Sequence, residues 1–389
     1  MDNTGKSSRQ SLQDLPIALV ANTSWYLHNF RAGTIRALGE RGARVICIAP
    51  EDATSRALAD ELGAEHIDWP LDLNGHNPVR ELGSLVRLFT ILKDRRPCFV
   101  FNFTIKPNIY SGIACRVLGL PYANNVTGLG MTLGGSGWLS RIAAWLYGLS
   151  NRGAARVFVQ NPDDLAELRR RGLLGKARPV ELAGSGVDLE HFVAEPLQAT
   201  PPTFVLIARL QADKGVREFV AAARQMRQCC PGARFVLIGP TETANQSAIP
   251  ERELAAWRAE GVVEIAGPTD DVRPWLAECD ALVLPSYGGE GMPRVVLEAA
   301  ACARPAIVSD VPGCRHAVVD GRTGFIVAPR NTDALVDALE KFAALPTGKR
   351  NAMGRAARTL AEERFSERIA IDAYIDCVVA LAASSSNAR

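Results

Sequence analysis

Residues Pro285 to Pro305 read PSYGGEGMPRVVLEAAACARP, and the stretch sets two glutamates, Glu290 and Glu298, eight positions apart. The apolar run Asp280-Ala281-Leu282-Val283-Leu284 enters it as a strand, and the glycines make a turn. Pro293 suits the first turn of a helix, where a missing N–H costs nothing. A helix N-terminus carries the positive end of a dipole and unpaired amides, so it binds phosphate. Gly288, Gly289 and Gly291 leave room for a diphosphate to approach the backbone. Glu290 falls in the turn, and Glu298 lies about two turns into the helix, among Val295, Val296, Leu297, Ala299, Ala300 and Ala301. A carboxylate in that company needs a partner, since an unpaired buried charge costs several kcal/mol. Sugar hydroxyls would serve, and so would a neighbouring arginine in a strand–turn–helix unit of any α/β enzyme.

Upstream, Ala208-Arg209-Leu210-Gln211-Ala212-Asp213-Lys214-Gly215 is a second strand-to-helix junction, with two cations five positions apart. A lysine at a helix N-terminus is repelled by the dipole unless an anion is present. The glutamate–seven residues–glutamate spacing and the R-L-x-x-x-K-G segment, taken together, resemble the retaining glycosyltransferases of family 4. That resemblance runs from about Ile17 to Leu381. It implies the GT-B fold, an α/β architecture of two Rossmann-like, doubly wound parallel-sheet domains facing across a cleft. It also implies a nucleotide-sugar co-substrate, with a UDP-sugar preferred over a GDP-sugar, and a hexose, plain or N-acetylated, as the group moved. Arg209 and Lys214 would stabilise the charge gained by the leaving diphosphate. Glu290 would meet hydroxyls of the hexose and Glu298 the ribose, with Gly289, Gly291, Met292 and Pro293 lining the donor site. Thr269, Asp270 and Asp271 in the GPTDD turn resemble the segment beside the base, and they also read as a helix N-cap. Glu242 is either a sugar-recognising group or a solvated loop acid.

The segments Asn102 to Asn108, Asn124 to Gly130 and Gly184 to Asp188 resemble those of enzymes that build bacterial surface glycans on undecaprenyl diphosphate. Among these is the N-acetylgalactosaminyltransferase that extends lipid-linked diacetylbacillosamine. The implied acceptor is a polyprenyl-diphosphate-linked saccharide, with Asn22, Ser24, Thr104, Lys106, Asn108 and Thr127 on its side. Some relatives have histidine just before the K/E-x-N turn, whereas this chain has Ile105, which leaves the acceptor-side base unassigned. Thr104, Lys106 and His28 remain as polar candidates; His66, His76, His191 and His316 read as surface or helix-end residues.

With 389 residues the chain exceeds one hydrophobic core. Alternating apolar runs and helical patterns begin at Ile17 and restart at Phe204, which predicts parallel sheets in two domains. The expected layout is a disordered arm over 1–15, an acceptor domain over 16–195, a linker over 196–202 and a donor domain over 203–365. A terminal helix over 366–384 would pack back on the first domain. The nine cysteines include no C-x-x-C pair, which argues against a disulfide framework and a zinc site. No other metal is expected, because there is no D-x-D motif and Arg209 with Lys214 can supply the charge. The net charge of +2 says little about partners, and no nucleic acid is implied.

The start MDNTGKSSRQSLQDLP has no apolar core, and no run of about 18 apolar residues could span a bilayer. The expected place is the cytoplasm, peripheral on the inner face of the membrane. Between Met131 and Val180 eight Lys/Arg face three Asp/Glu. Within that segment GWLSRIAAWLYGL, residues 137–149, sets Trp138, Ile142, Trp145 and Leu149 at helical spacing. Such a helix suits an anionic lipid interface; a core helix with buried tryptophans is the other reading.

Three rival functions can be weighed. A nucleotide-sugar epimerase of the same architecture would need an acid/base pair at the sugar ring and no acceptor site. A nicotinamide-dependent oxidoreductase is opposed by Ala21-Asn22-Thr23-Ser24-Trp25 where G-x-G-x-x-G would stand. A non-catalytic membrane-surface module is opposed by the retained Glu290, Arg209 and Lys214.

Overall fold

The computed structural model describes residues 12–72, 77–129, 137–197, 201–241, 245 and 247–386. Most of the N-terminal arm, His76 and Glu242 lie outside them. The chain divides into two compact units. The first holds the described residues through Thr127, 137–185 and the chain from Arg368, and the second holds Gly128, Leu129 and 186–367.

Each unit is a parallel sheet whose inner strands are buried on both faces, as in the run Phe99–Phe103. Among the described residues the first sheet has the order β3-β2-β1-β4-β5-β6-β7. Its strands are β1 (Pro16–Val20), β2 (Arg44–Ala49), β3 (Glu65–Asp68), β4 (Phe99–Phe103), β5 (Tyr122–Val126), β6 (Arg156–Val159) and β7 (Arg178–Glu181). The second has the order β10-β9-β8-β11-β12-β13. It is built from β8 (Thr203–Ile207), β9 (Arg234–Ile238), β10 (Glu264–Gly267), β11 (Ala281–Leu284), β12 (Ala306–Ser309) and β13 (Gly324–Val327). Three of these strands were not among the apolar runs of the sequence: β3, β7 and β13. All three are edge strands of four residues, and β3 (EHID) and β7 (RPVE) are only half buried. An edge strand pairs on one side only, so it does not need a continuous apolar run.

The helices used below are α1 (Ser24–Gly39), α2 (Ser55–Asp60), α3 (Pro78–Arg95), α4 (Ile105–Leu118) and α5 (Trp138–Asn151) in the first unit. In the second, α6 (Pro162–Arg170) having closed the first, come α7 (Val216–Cys229), α8 (Glu251–Glu260), α9 (Arg273–Glu278) and α10 (Arg294–Ala301).

The passage into the second unit comes after Ser185, ten residues ahead of the boundary read from the sequence, so 186–195 is part of the second unit and not of the first. Hydrogen bonds explain the shift. Val187 N donates to Phe365 O at 2.7 Å, and Glu367 N donates to Val187 O at 3.0 Å. Arg304 donates to Glu195 O at 2.7 Å and Arg358 to Phe192 O at 2.8 Å. The terminal helix, Glu367–Ser386, joins the first unit from Arg368 onward. Its Tyr374 is 1% exposed and lies 4.7 Å from the Phe158 ring and 5.2 Å from Phe101.

Candidate active site

In the second unit the Gly-rich loop after β11 is stitched to the turn after β8. The Asp213 carbonyl accepts from Tyr287 N at 2.8 Å, from Gly288 N at 3.1 Å and from Ser286 Oγ at 3.0 Å. This approach demands glycine at 215: it has φ +74°, and a Cβ there would stand 2.3 Å from Pro285 O. Lys214, in a short 3-10 turn over Ala212–Lys214, is thereby carried to Glu290. The Lys214 Nζ donates to Glu290 Oε1, and Ser286 Oγ, whose one proton is shared with the Asp213 carbonyl, lies 2.8 Å from the same oxygen. Both charged side chains are 15% exposed. Arg209 is exposed, just beyond the end of β8.

Not every amide of the loop is available, contrary to the simplest reading of the glycines. Tyr287 N and Gly288 N are spent on the Asp213 carbonyl, and Glu290 N on Gly288 O at 2.9 Å. Gly289 is exposed, and Gly291 and Met292 are buried. Pro293 is the N-cap of α10, with φ −65°, one residue ahead of the first helical position.

Glu298 is buried on α10, and its ion-pair partner is Arg294, one turn earlier, at 2.8 Å. A neighbouring arginine was one of the two partners that the sequence allowed for this carboxylate. Burial pushes the Glu298 carboxyl above the usual range, and Arg294 opposes that rise. The GPTDD turn follows β10. Thr269 Oγ1 donates to Asp271 O at 2.7 Å, and Asp271 holds the Arg273 guanidinium at 2.7 Å. That guanidinium draws the Asp271 carboxyl below the ordinary range. The N-cap of α9 is Val272, with no side-chain cap, so Thr269 does not cap the helix.

In the first unit, three of the six acceptor-side residues belong to the scaffold. Ser24 is buried, its Oγ donating to Pro50 O at 2.9 Å and accepting from Ser55 Oγ at 3.0 Å. Lys106 Nζ bonds Asp72 O at 2.6 Å and Glu81 Oε1 at 2.7 Å. Asn108 is buried, donating to Asn125 O at 2.7 Å and Tyr147 Oη at 3.0 Å, while its Oδ1 accepts from Asn125 N. The other three, Asn22, Thr104 and Thr127, are half-buried after β1, β4 and β5. The register Val20↔Asn102 carries Asn22 to the level of Thr104 on neighbouring strand ends. Asn22 Oδ1 and Thr104 Oγ1 are both buried without a hydrogen-bond partner, and Thr104 sits at φ +71°. A β-branched residue there is strained, and strain of this kind concentrates at functional sites. His28 pairs with Glu61 at 3.1 Å.

Two residues with a part in these arrangements escaped the sequence reading. Ser286 lies inside the opening stretch and could have been found as the one serine or threonine near the glycines. Arg31 could not: it is 1% exposed, donates to Tyr26 Oη at 2.8 Å and Tyr374 Oη at 3.1 Å, and has its guanidinium 4.4 Å from the Phe103 ring centroid. Its partner Tyr374 is 343 positions away.

Comparison with known proteins bears on both units. Residues 29–186 match the family described as glycosyl transferase 4-like domain, and residues 201–344 match glycosyl transferases group 1. The chain is 27% identical to the N,N'-diacetylbacillosaminyl-diphospho-undecaprenol alpha-1,3-N-acetylgalactosaminyltransferase of Campylobacter jejuni, over 83% of this chain and 88% of the relative. It is 24% identical to the UDP-Gal:alpha-D-GlcNAc-diphosphoundecaprenol alpha-1,3-galactosyltransferase of Escherichia coli, over 67% and 70%. The crystal structure of Anabaena HepE in complex with UDP and glucose superimposes with a TM-score of 0.77 at 16% identity, covering 94% of this chain and 99% of that one. With two parallel-sheet Rossmann-like units, the chain is a glycosyltransferase of the GT-B fold, with a glycosyl transferase 4-like domain in its first unit and a glycosyl transferases group 1 domain in its second.

Proposed function

We propose that the protein is a retaining glycosyltransferase that moves a hexose from a UDP-sugar to a polyprenyl-diphosphate-linked saccharide at the inner face of a membrane. The observation that carries this reading is the junction of Lys214, Ser286 and Glu290 ahead of α10. An ammonium fixed there opposes the charge that a diphosphate gains as it leaves the anomeric carbon, so it favours the transition state over the ground state. Arg209 adds a second cation on the same side, and these two groups supply charge that a metal ion would otherwise bring. Glu290 receives hydroxyls of the hexose once the diphosphate has taken Lys214, Glu298 with Arg294 holds the ribose, and Thr269 stands beside the base. Asn22, Thr104 and Thr127 meet the acceptor. No side chain is assigned as acceptor base, which fits same-face attack in which the leaving phosphate takes the acceptor proton.

The lipid-linked acceptor is supported by the two relatives, whose names specify undecaprenyl diphosphate carriers, and UDP by the Escherichia coli relative and HepE. Membrane contact is supported by α5, where Trp138 is 70% and Trp145 62% exposed, against the core reading of this helix. No helix among the described residues is long and apolar enough to cross a membrane. Thermal-shift measurement with a panel of UDP- and GDP-sugars tests the donor, since a ligand at one hundred times its Kd adds about 2.7 kcal/mol of stability. Stabilisation by UDP-sugars alone is expected; a response only to GDP-sugars would reject the base assignment.

A further inference from the structure

A cavity of about 780 Å³ in the first unit is a groove between α3 and the carboxyl ends of β2 and β3. Its α3 wall carries Arg80 and Arg87, and its opposite wall Glu51, Asp68 and Asp72. Neither guanidinium has an ion-pair or hydrogen-bond partner among the described residues, although carboxylates face them. The two arginines are seven residues apart, about 10.5 Å along the axis, so their long side chains can close on one anion from two sides. The groove is held in shape. Ser84 Oγ donates to Pro70 O at 2.9 Å, and the buried Trp69 donates from Nε1 to Ser84 O at 2.9 Å, which pins α3 to the end of β3.

Beside the arginines, α3 exposes an apolar stripe at i, i+3 and i+7: Val79 is 79%, Leu82 60% and Val86 56% exposed. The helix already buries Leu88, Ile91 and Leu92 on its other side, so the stripe is surplus to the fold. The helices α3 and α5 both pack on α4, which puts this stripe and the exposed tryptophans of α5 in one helical layer. Carboxylates and then a pair of arginines follow one another across the groove, and the exposed apolar side chains continue beside it on α3. That is the order of chemistry in a glycosyl diphosphate carried on an isoprenoid. We propose that this groove binds a polyprenyl diphosphate: Arg80 and Arg87 hold the diphosphate, Val79, Leu82 and Val86 receive the first isoprene units, and Glu51 and Asp68 meet hydroxyls of the attached saccharide. The inference rests on the lipid-linked acceptor reading and gives it a site.

The full chain, saturated with UDP to fill the donor site, is titrated with geranylgeranyl diphosphate and, separately, with inorganic diphosphate. Wild type is expected to bind the lipid more tightly than inorganic diphosphate. Loss of two charge-assisted contacts in R80A/R87A should weaken both by at least about tenfold. The L82Q/V86Q variant should weaken only the lipid. Both arginines are exposed, and unchanged UDP affinity confirms that the variants are folded. Equal lipid affinity in wild type and R80A/R87A, or no lipid binding by wild type, overturns the site. Steady-state transfer separates the two readings. If wild type uses a lipid-linked acceptor with the same KM as R80A/R87A, the groove assignment fails and the acceptor class stands. If arginine-dependent binding is found and no lipid-linked acceptor is turned over, the groove stands and the acceptor class fails.

Discussion

Lys214 and Glu290, 76 positions apart in sequence, are hydrogen-bonded to each other, and Ser286 Oγ caps the same carboxylate oxygen at 2.8 Å. Each therefore neutralises the other until an anion competes for the ammonium. The relationship gives both residues a resting partner and a working one. Lys214→Ala is expected to leave the fold intact and to lower kcat by about a hundredfold or more, as removal of one transition-state donor commonly costs about 3 kcal/mol. Steady-state kinetics beside a thermal melt check this, and near-normal turnover in the folded variant would remove Lys214 from the chemistry.

The two glutamates should separate in their effects. Glu298→Ala is expected to weaken UDP itself, because the proposed function sets Glu298 and Arg294 against the ribose. Glu290→Ala should weaken the intact sugar nucleotide and spare UDP. Isothermal titration of both ligands against both variants decides it, and equal loss of UDP affinity would contradict the division.

Glu298 also predicts a pH dependence of stability. Its carboxyl is raised in the folded chain, first by burial, so the native state holds a proton that the unfolded state releases. The unfolded state then binds fewer protons, and stability falls as pH rises from the unfolded value, about 4.5 in the reference scale, through the raised folded one. Glu298→Gln should therefore gain stability relative to wild type as pH is raised through that window. Denaturant titrations at several pH values measure the difference, and a wild type that gains relative to Glu298→Gln would reverse the sign.

How much of this was legible in the sequence depended on the range of the interaction. The loop 285–293 and the turn 208–215 carry their chemistry in local spacing, so the fold could be read from them. Ser24, Lys106 and Asn108 could not be told from ligand-binding residues, because the groups that engage them, Pro50, Glu81 and Asn125, lie 17 to 26 positions away. Arg31 is the extreme case, a buried cation held by phenols from both ends of the chain. The edge strands β3 and β7 were missed because half-buried strands alternate polar and apolar residues too briefly to register.

Asn108 tests the scaffold assignment directly. Asn108→Ala would strand Asn125 O and the Tyr147 hydroxyl in a buried site, at a cost of about 1–3 kcal/mol. Reduced stability with unchanged KM for acceptor is the expected result. A raised acceptor KM at unchanged stability would return the residue to the binding site.

Trp145 is exposed on α5, so Trp145→Glu should leave folding and UDP affinity unchanged. Sedimentation with anionic liposomes and transfer to long-chain acceptor should both fall, while short soluble acceptors are still used. Unchanged liposome binding would reject a membrane role for this helix.

The central claim is tested most directly by incubating the purified protein with an α-linked UDP-hexose and a polyprenyl-diphosphate-linked saccharide, then determining the anomeric configuration of the new bond by NMR. An α-linked product is predicted. A β-linked product, or hydrolysis or epimerisation of the donor without transfer to the lipid-linked saccharide, would contradict the account.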